Sequence, residues 1–216
     1  MSATKRRSAK KKIIIGFIIV LATLLLLYGI TLIIPFFEQK MTPEETEYIA
    51  DFNFYPADYS EDIFDDTEYL ALIQDGLILY DNNSNFATMV DKDNATQFEE
   101  GVDLLVDMVY AIIYGDVDGY NECFSEKYYE NHSPKESFTM QKIYNGKLTY
   151  LSSEEVAEDG VTYTAYTYKI SYYIHENNGT FRKDIGDKEA REQYIVVSER
   201  EGSMLIDDIQ YISFYN

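Results

Sequence analysis

The chain has one cysteine, Cys123, and no tryptophan. A lone cysteine excludes an internal disulfide, so the stability of any domain must come from its hydrophobic core. Cys123 itself reads as a small buried hydrophobe on a helix. Histidine is scarce too: His132 and His175 stand 43 residues apart in different elements, each beside a turn or cap signal, and both read as surface residues. No G-x-S-x-G, H-E-x-x-H, Walker loop or G-x-G-x-x-G occurs, which leaves no motif for a hydrolase, a zinc protease or a nucleotide-binding enzyme.

Positive charge is missing from most of the chain. Six of the 18 Lys and Arg lie in residues 1–12, and all 38 Asp and Glu lie beyond Phe37. The remainder therefore carries 12 basic against 38 acidic residues, a formal −26. Such a surface repels polyanions, which excludes nucleic acid as a partner and keeps the acidic part off anionic lipid.

What the sequence does have is one long apolar run. Sixteen of the residues from Ile13 to Ile34 are Ile, Leu, Val or Phe, enough to cross about 30 Å of hydrocarbon as a helix. The basic tail 1–12 precedes it and Pro35 closes it. The following "PFFEQKM" offers no small-residue cleavage site, so the run reads as an uncleaved anchor and not as a signal peptide. The expectation is a single-pass cell-membrane protein, in contact with the bilayer through residues 13–37. Its N-terminus is cytoplasmic and its C-terminal part extracytoplasmic, by the positive-inside bias.

Residues 38–95 form an acidic, aromatic region with short helical starts. "TPEE" at Thr42 opens one, "DDTEYLALIQDG" gives another closed by Gly76, and "LILYDNNSNFATMV" reads as a small hairpin. Part of this region is expected to pack on the domain that follows.

Residues 96–216 carry stronger signals. Thr96 and Glu99 suggest a capping box, and Phe98, Val102, Leu105, Val109 and Ile112 place one apolar face on the helix behind it. Gly115 ends that helix and Asp116 is placed to cap the next, with Val117, Tyr120, Phe124 and Tyr128 on its apolar side. "SPKE" (Ser133, Pro134, Glu136) predicts a third start. Four strands follow: "KLTYLSSEEV", then "VTYTAYTYKISYYI" with Tyr166, Tyr168, Ile170, Tyr172 and Ile174 alternating to one side, then a pair turned at Glu201-Gly202. Asn178-Gly179 predicts a tight hairpin after the second strand. The fold class is α+β, about three helices packed on a curved antiparallel sheet.

Two acidic stretches mimic the start of a calcium loop. Asp116 and Asp118 lack the required Gly and Glu, since Asn121 and Lys127 hold the sixth and twelfth positions. Asp91 and Asp93 fail likewise, with Thr96 and Val102 there. Both read as caps and turns, and neither metal nor cofactor is expected. Four N-x-S/T matches, at Asn82, Asn94, Asn131 and Asn178, read as turn and cap residues.

The order of helix, Gly-Asp corner ("GDVDGYNECFSEKYY"), second helix and antiparallel sheet ending in "REGSMLIDDI" resembles the nuclear transport factor 2-like superfamily of α+β cones, which includes ketosteroid isomerase. The resemblance covers residues 96–216. It implies a concave sheet face that either docks a protein or holds a pocket, with Tyr166, Tyr168, Ile170 and Tyr172 as candidate pocket-lining residues. Isomerase-like members place an Asp base and a Tyr donor inside the cone, and no acid falls on the inward positions here. A basic tail, one span and such a domain also resembles, in architecture, the bitopic assembly proteins of bacterial conjugation and type IV secretion machines. The expected function is a binding or assembly module without catalysis whose partner is another envelope protein or complex, with oligomers allowed. A pocket for a small apolar ligand, isomerase-like in the same fold, is the alternative; a sugar-binding surface of exposed tyrosines is a third.

Overall fold

A computed structural model describes residues 52–158, 160–200 and 202–211. The apolar run 13–37 and the helix start at Thr42 lie outside them. Among the described residues no helix is long and apolar enough to cross a membrane.

The architecture is α+β, with one six-stranded mixed sheet in the order β2-β1-β3-β4-β5-β6. Strands β3 (Lys142–Glu158), β4 (Val161–His175), β5 (Gln193–Arg200) and β6 (Ser203–Tyr211) form the antiparallel meander expected from the alternation of their side chains. Tyr168, Ile170, Tyr172 and Ile174 of β4 are at most 2% exposed, while the residues between them are half-buried. That is the period-2 pattern of a sheet with one core face.

The hairpin read in residues 77–90 is present as β1 (Ile78–Asp81) and β2 (Ala87–Val90), turned on Asn83 and Asn85 at positive φ. It joins the sheet by pairing β1 parallel to β3, Ile78 with Gly146 through Asp81 with Thr149. The acidic region thus supplies a third of the strands, and a boundary at Thr96 cuts through the sheet. Helix α1 (Thr67–Ile73) precedes the hairpin, its first turn capped by the Asp66 carboxylate accepting from the N–H of Glu68 and of Tyr69.

Helix α2 (Val102–Tyr114) lies over the core face, with Val102, Leu105, Val106, Val109 and Ile112 at most 2% exposed. Its start differs from the Thr96–Glu99 box. Residues Ala95–Gln97 make a 3-10 turn, Gly101 at φ 92° precedes the helix, and the Glu99 carboxylate instead accepts the hydroxyl proton of buried Tyr80. Its end is as read: Gly115 is left-handed at φ 64°, its N–H bonds to Ile112 O at 3.2 Å and the Asp116 N–H reaches Ala111 O at 2.9 Å. Those two bonds are a Schellman stop. The Asp116 carboxylate then accepts from the Gly119 N–H at 3.0 Å and starts α3 (Val117–Glu122).

The third helix is α4 (Glu126–Tyr129), capped by Ser125, and not a helix at Ser133. Residues 132–140 run without helix because their backbone is claimed laterally. Asn121 accepts from the Lys135 N–H and donates to its carbonyl, both at 2.9 Å, and the Thr139 N–H goes to Thr180 Oγ1. The corner before α4 also closes one sheet edge: Ile206 of β6 exchanges backbone hydrogen bonds with Cys123 and Ser125 at 2.9 and 3.0 Å. The far end of the long β3–β4 hairpin reaches back to α4, where Lys127 pairs with Glu158 at 2.9 Å.

Candidate functional site

The core face expected to line a pocket is packed. Tyr168 is fully buried with its hydroxyl donating to Glu100 O at 2.7 Å, Ile170 is 1% exposed, and Tyr172 lies against the Arg182 guanidinium. Tyr166 is half-buried at the rim of the same cluster. Burial raises the hydroxyl pKa of Tyr166, Tyr168 and Tyr172 above its ordinary value, as it does for Tyr69 and Tyr120. Burial likewise pushes the Cys123 thiol up to about 12, so this cysteine is inert.

The chemistry is concentrated at the end of the sheet where β3 begins and β4 ends. Here the chain before α1 crosses the strand ends, held by the Tyr55 N–H donating to Asn177 O at 3.0 Å, and a cleft of about 90 Å³ opens between Tyr55, Glu61, Gln141, Lys142, His175 and Glu176. Lys142, 8% exposed in its side chain, places its ammonium 2.9 Å from Glu61, 2.8 Å from Asp66 and 2.6 Å from Glu176. Burial works against that charge, but the three carboxylates outweigh it and hold the Lys142 pKa above the usual lysine value. The hydrogen bond from Lys142, with those from the α1 backbone, holds Asp66 below the usual carboxylate range.

His175 lies in this cleft and not on a surface tip. It is 8% exposed, because it ends β4 in the cleft near Asp66 and Glu68 at the start of α1, and the β4–β5 connection is no tight hairpin. That connection, residues 176–192, is organised by buried Asn177, which donates to Arg182 O and Ile185 O and accepts from the Gly179 N–H. Among the described residues the His175 imidazole makes no hydrogen bond; its Nε2 is 4.0 Å from a Glu68 oxygen. One ligand atom each of Asp66, His175 and Glu176 lies within 4.8 Å of the other two. Gln141, also in the cleft, is 1% exposed and spends its amide N–H groups on Thr139, Met140, Asn178 and Thr180, while its Oε1 has no donor among the described residues.

A second buried charge stands apart from the cleft. Arg182, 3% exposed, is stacked 5.5 Å from the ring centres of both Tyr172 and Tyr211 and clamped by Asp184. It fixes the loop.

Sequence reasoning did not find the cleft. Its ligands come from positions 61, 66, 142, 175 and 176, and in a chain so acidic no local spacing marks two carboxylates as special. His132, read as a surface residue, is half-buried at the end of α4: its Nδ1 lies 3.0 Å from Tyr128 O and its ring stacks on Tyr128.

Comparison with protein-family models, with curated proteins and with solved structures finds no match to this chain.

Proposed function

We propose that the protein is a single-pass membrane protein with a cytoplasmic N-terminus, anchored by residues 13–37, whose acidic C-terminal α+β domain is a non-catalytic binding or assembly module of the nuclear transport factor 2-like type. The observation that carries this reading is the filled core face: Tyr168, Ile170 and Tyr172 are each at most 2% exposed. A fold of this kind that transforms a ligand needs an open cone and an acid inside it with a raised pKa. The acids displaced among the described residues, Asp58, Asp66 and Asp184, are all displaced downward. The formal −26 beyond Phe37 favours a partner with basic surface in the cell envelope.

Crosslinking in intact membranes, followed by identification of what co-purifies with the full-length chain, tests the reading. A reproducible envelope-protein partner is expected. Release of the protein from membranes at alkaline pH, or a mature product starting after Phe37, sinks the anchored module.

A further inference from the structure

We infer that the cleft is a divalent transition-metal site, with Asp66, His175 and Glu176 as the protein ligands and Lys142 as the resident cation that the metal displaces. Three donors from two places in the chain converge there. Asp66 is the residue before α1, His175 ends β4, and Glu176 opens the following loop. Their ligand atoms lie within 4.8 Å of one another. A tetrahedral ion with bonds of 2.0–2.1 Å separates its ligands by about 3.3 Å, so side-chain rotation closes the remaining gap.

Two further observations point to a missing ligand. His175 is nine-tenths buried in its side chain and lines the cleft, and among the described residues its imidazole has no hydrogen-bond partner, which leaves its ring nitrogens available to the cleft. Gln141 lines the same cleft and keeps a buried Oε1 acceptor without a donor. An open fourth position on such an ion is where a water sits.

Charge agrees with this assignment. Glu61, Asp66 and Glu176 carry three negative charges against the single positive charge of Lys142. A divalent ion brings that sum to zero. The donor set of one imidazole nitrogen and two carboxylate oxygens suits zinc or cobalt, whereas calcium takes six to eight oxygens. The ammonium holds the carboxylates together in the absence of metal, and Glu61 remains as its partner once Asp66 and Glu176 turn to the ion.

The full-length protein in detergent micelles, titrated with Co²⁺ and followed by its visible ligand-field absorption, tests the site. An intense tetrahedral-type spectrum that Zn²⁺ abolishes is expected. His175→Gln should remove it, and His132→Gln should leave it intact. Glu176→Gln should weaken Co²⁺ binding about tenfold or more, with the metal-free melt as the check that each variant folds. Lys142→Met should tighten binding, since it removes the competitor. A spectrum no different from aqueous Co²⁺ overturns the assignment. So does a bound spectrum that survives in His175→Gln, which would mark scattered binding to surface carboxylates.

Discussion

Arg182 and Asp184, two residues apart in the connection between β4 and β5, meet in a fork: Nε donates to Oδ1 at 2.7 Å and Nη2 to Oδ2 at 2.5 Å. The Arg182 side chain is only 3% exposed, so the carboxylate is what makes its burial tolerable. Asp184→Asn keeps the shape and loses the charge, and should cost about 3–5 kcal/mol at neutral pH. Burial pushes the Asp184 carboxyl up, but the hydrogen bonds and charge of Arg182 overcome it and hold the pKa below its ordinary 3.8. A depressed folded value gives stability that is in force above pH 3.8 and fades as pH falls through the folded value. Urea unfolding at pH 7 and near pH 3 should therefore show the gap between wild type and Asp184→Asn shrinking in acid; an equal gap at both pH values refutes the pairing.

The Gly115-Asp116 corner gives a second, opposite pair of outcomes. Asp116→Ala should cost about 1 kcal/mol, and Asp116→Asn should restore most of it, because a cap needs only an acceptor oxygen. Gly115→Ala should be worse. It forces a side chain into the left-handed region at φ 64°, about 1–2 kcal/mol by itself, and its Cβ would come 2.9 Å from the Met140 backbone nitrogen. Calcium should leave the melts of wild type and Asp116→Asn equal; a calcium-dependent rise that the Asn variant loses would make Asp116 a ligand.

This corner was legible in the sequence because every part of it is local. Gly115 stops, Asp116 caps, and the bonds span three to five residues. The β4 face was legible for the same reason, since alternation needs no knowledge of the partner strand. The parallel pairing of β1 with β3 was not, for Ile78 and Gly146 are brought together by tertiary packing that no window contains. The Ser133 helix failed to form although its residues suit one. Asn121, 14 residues upstream of Lys135, takes that segment's backbone donor and acceptor. The cleft shows the limit most clearly: Lys142 selects three carboxylates out of 38 acids, and only the fold says which three.

Alkaline titration should couple the ionisation of the buried tyrosines to unfolding. Tyr69, Tyr120, Tyr168 and Tyr172 are buried, and burial, the largest cause in each case, raises their pKa above the ordinary 10. A raised folded value keeps its contribution to stability below pH 10 and loses it as pH climbs toward the folded value. The buried set should ionise in one step coincident with loss of the far-ultraviolet signal. Smooth, independent titration of all rings without unfolding would show that the core face is open to water.

The last expectation concerns where the folding unit begins. The residues ahead of Thr96 include Ile63, Tyr69, Ile78, Tyr80 and Val90, each at most 2% exposed and part of the same core as α2 and β4. The Tyr69 hydroxyl donates to Ile143 O at 3.1 Å, which ties α1 to the start of β3. Removing buried side chains of this size costs roughly 2–5 kcal/mol apiece, so losing five, roughly 10–25 kcal/mol, is as large as the 5–15 kcal/mol that holds a typical domain together. A fragment of residues 96–216 should therefore show no cooperative unfolding, although its helices and meander are those that the sequence marks as a domain. A fragment of residues 49–216 should unfold in a single transition, with circular dichroism and tyrosine fluorescence coincident in urea. Cooperative unfolding of 96–216 with a slope in urea close to that of 49–216 would mean that α1 and the β1–β2 hairpin add little to the core, and would restore Thr96 as the boundary.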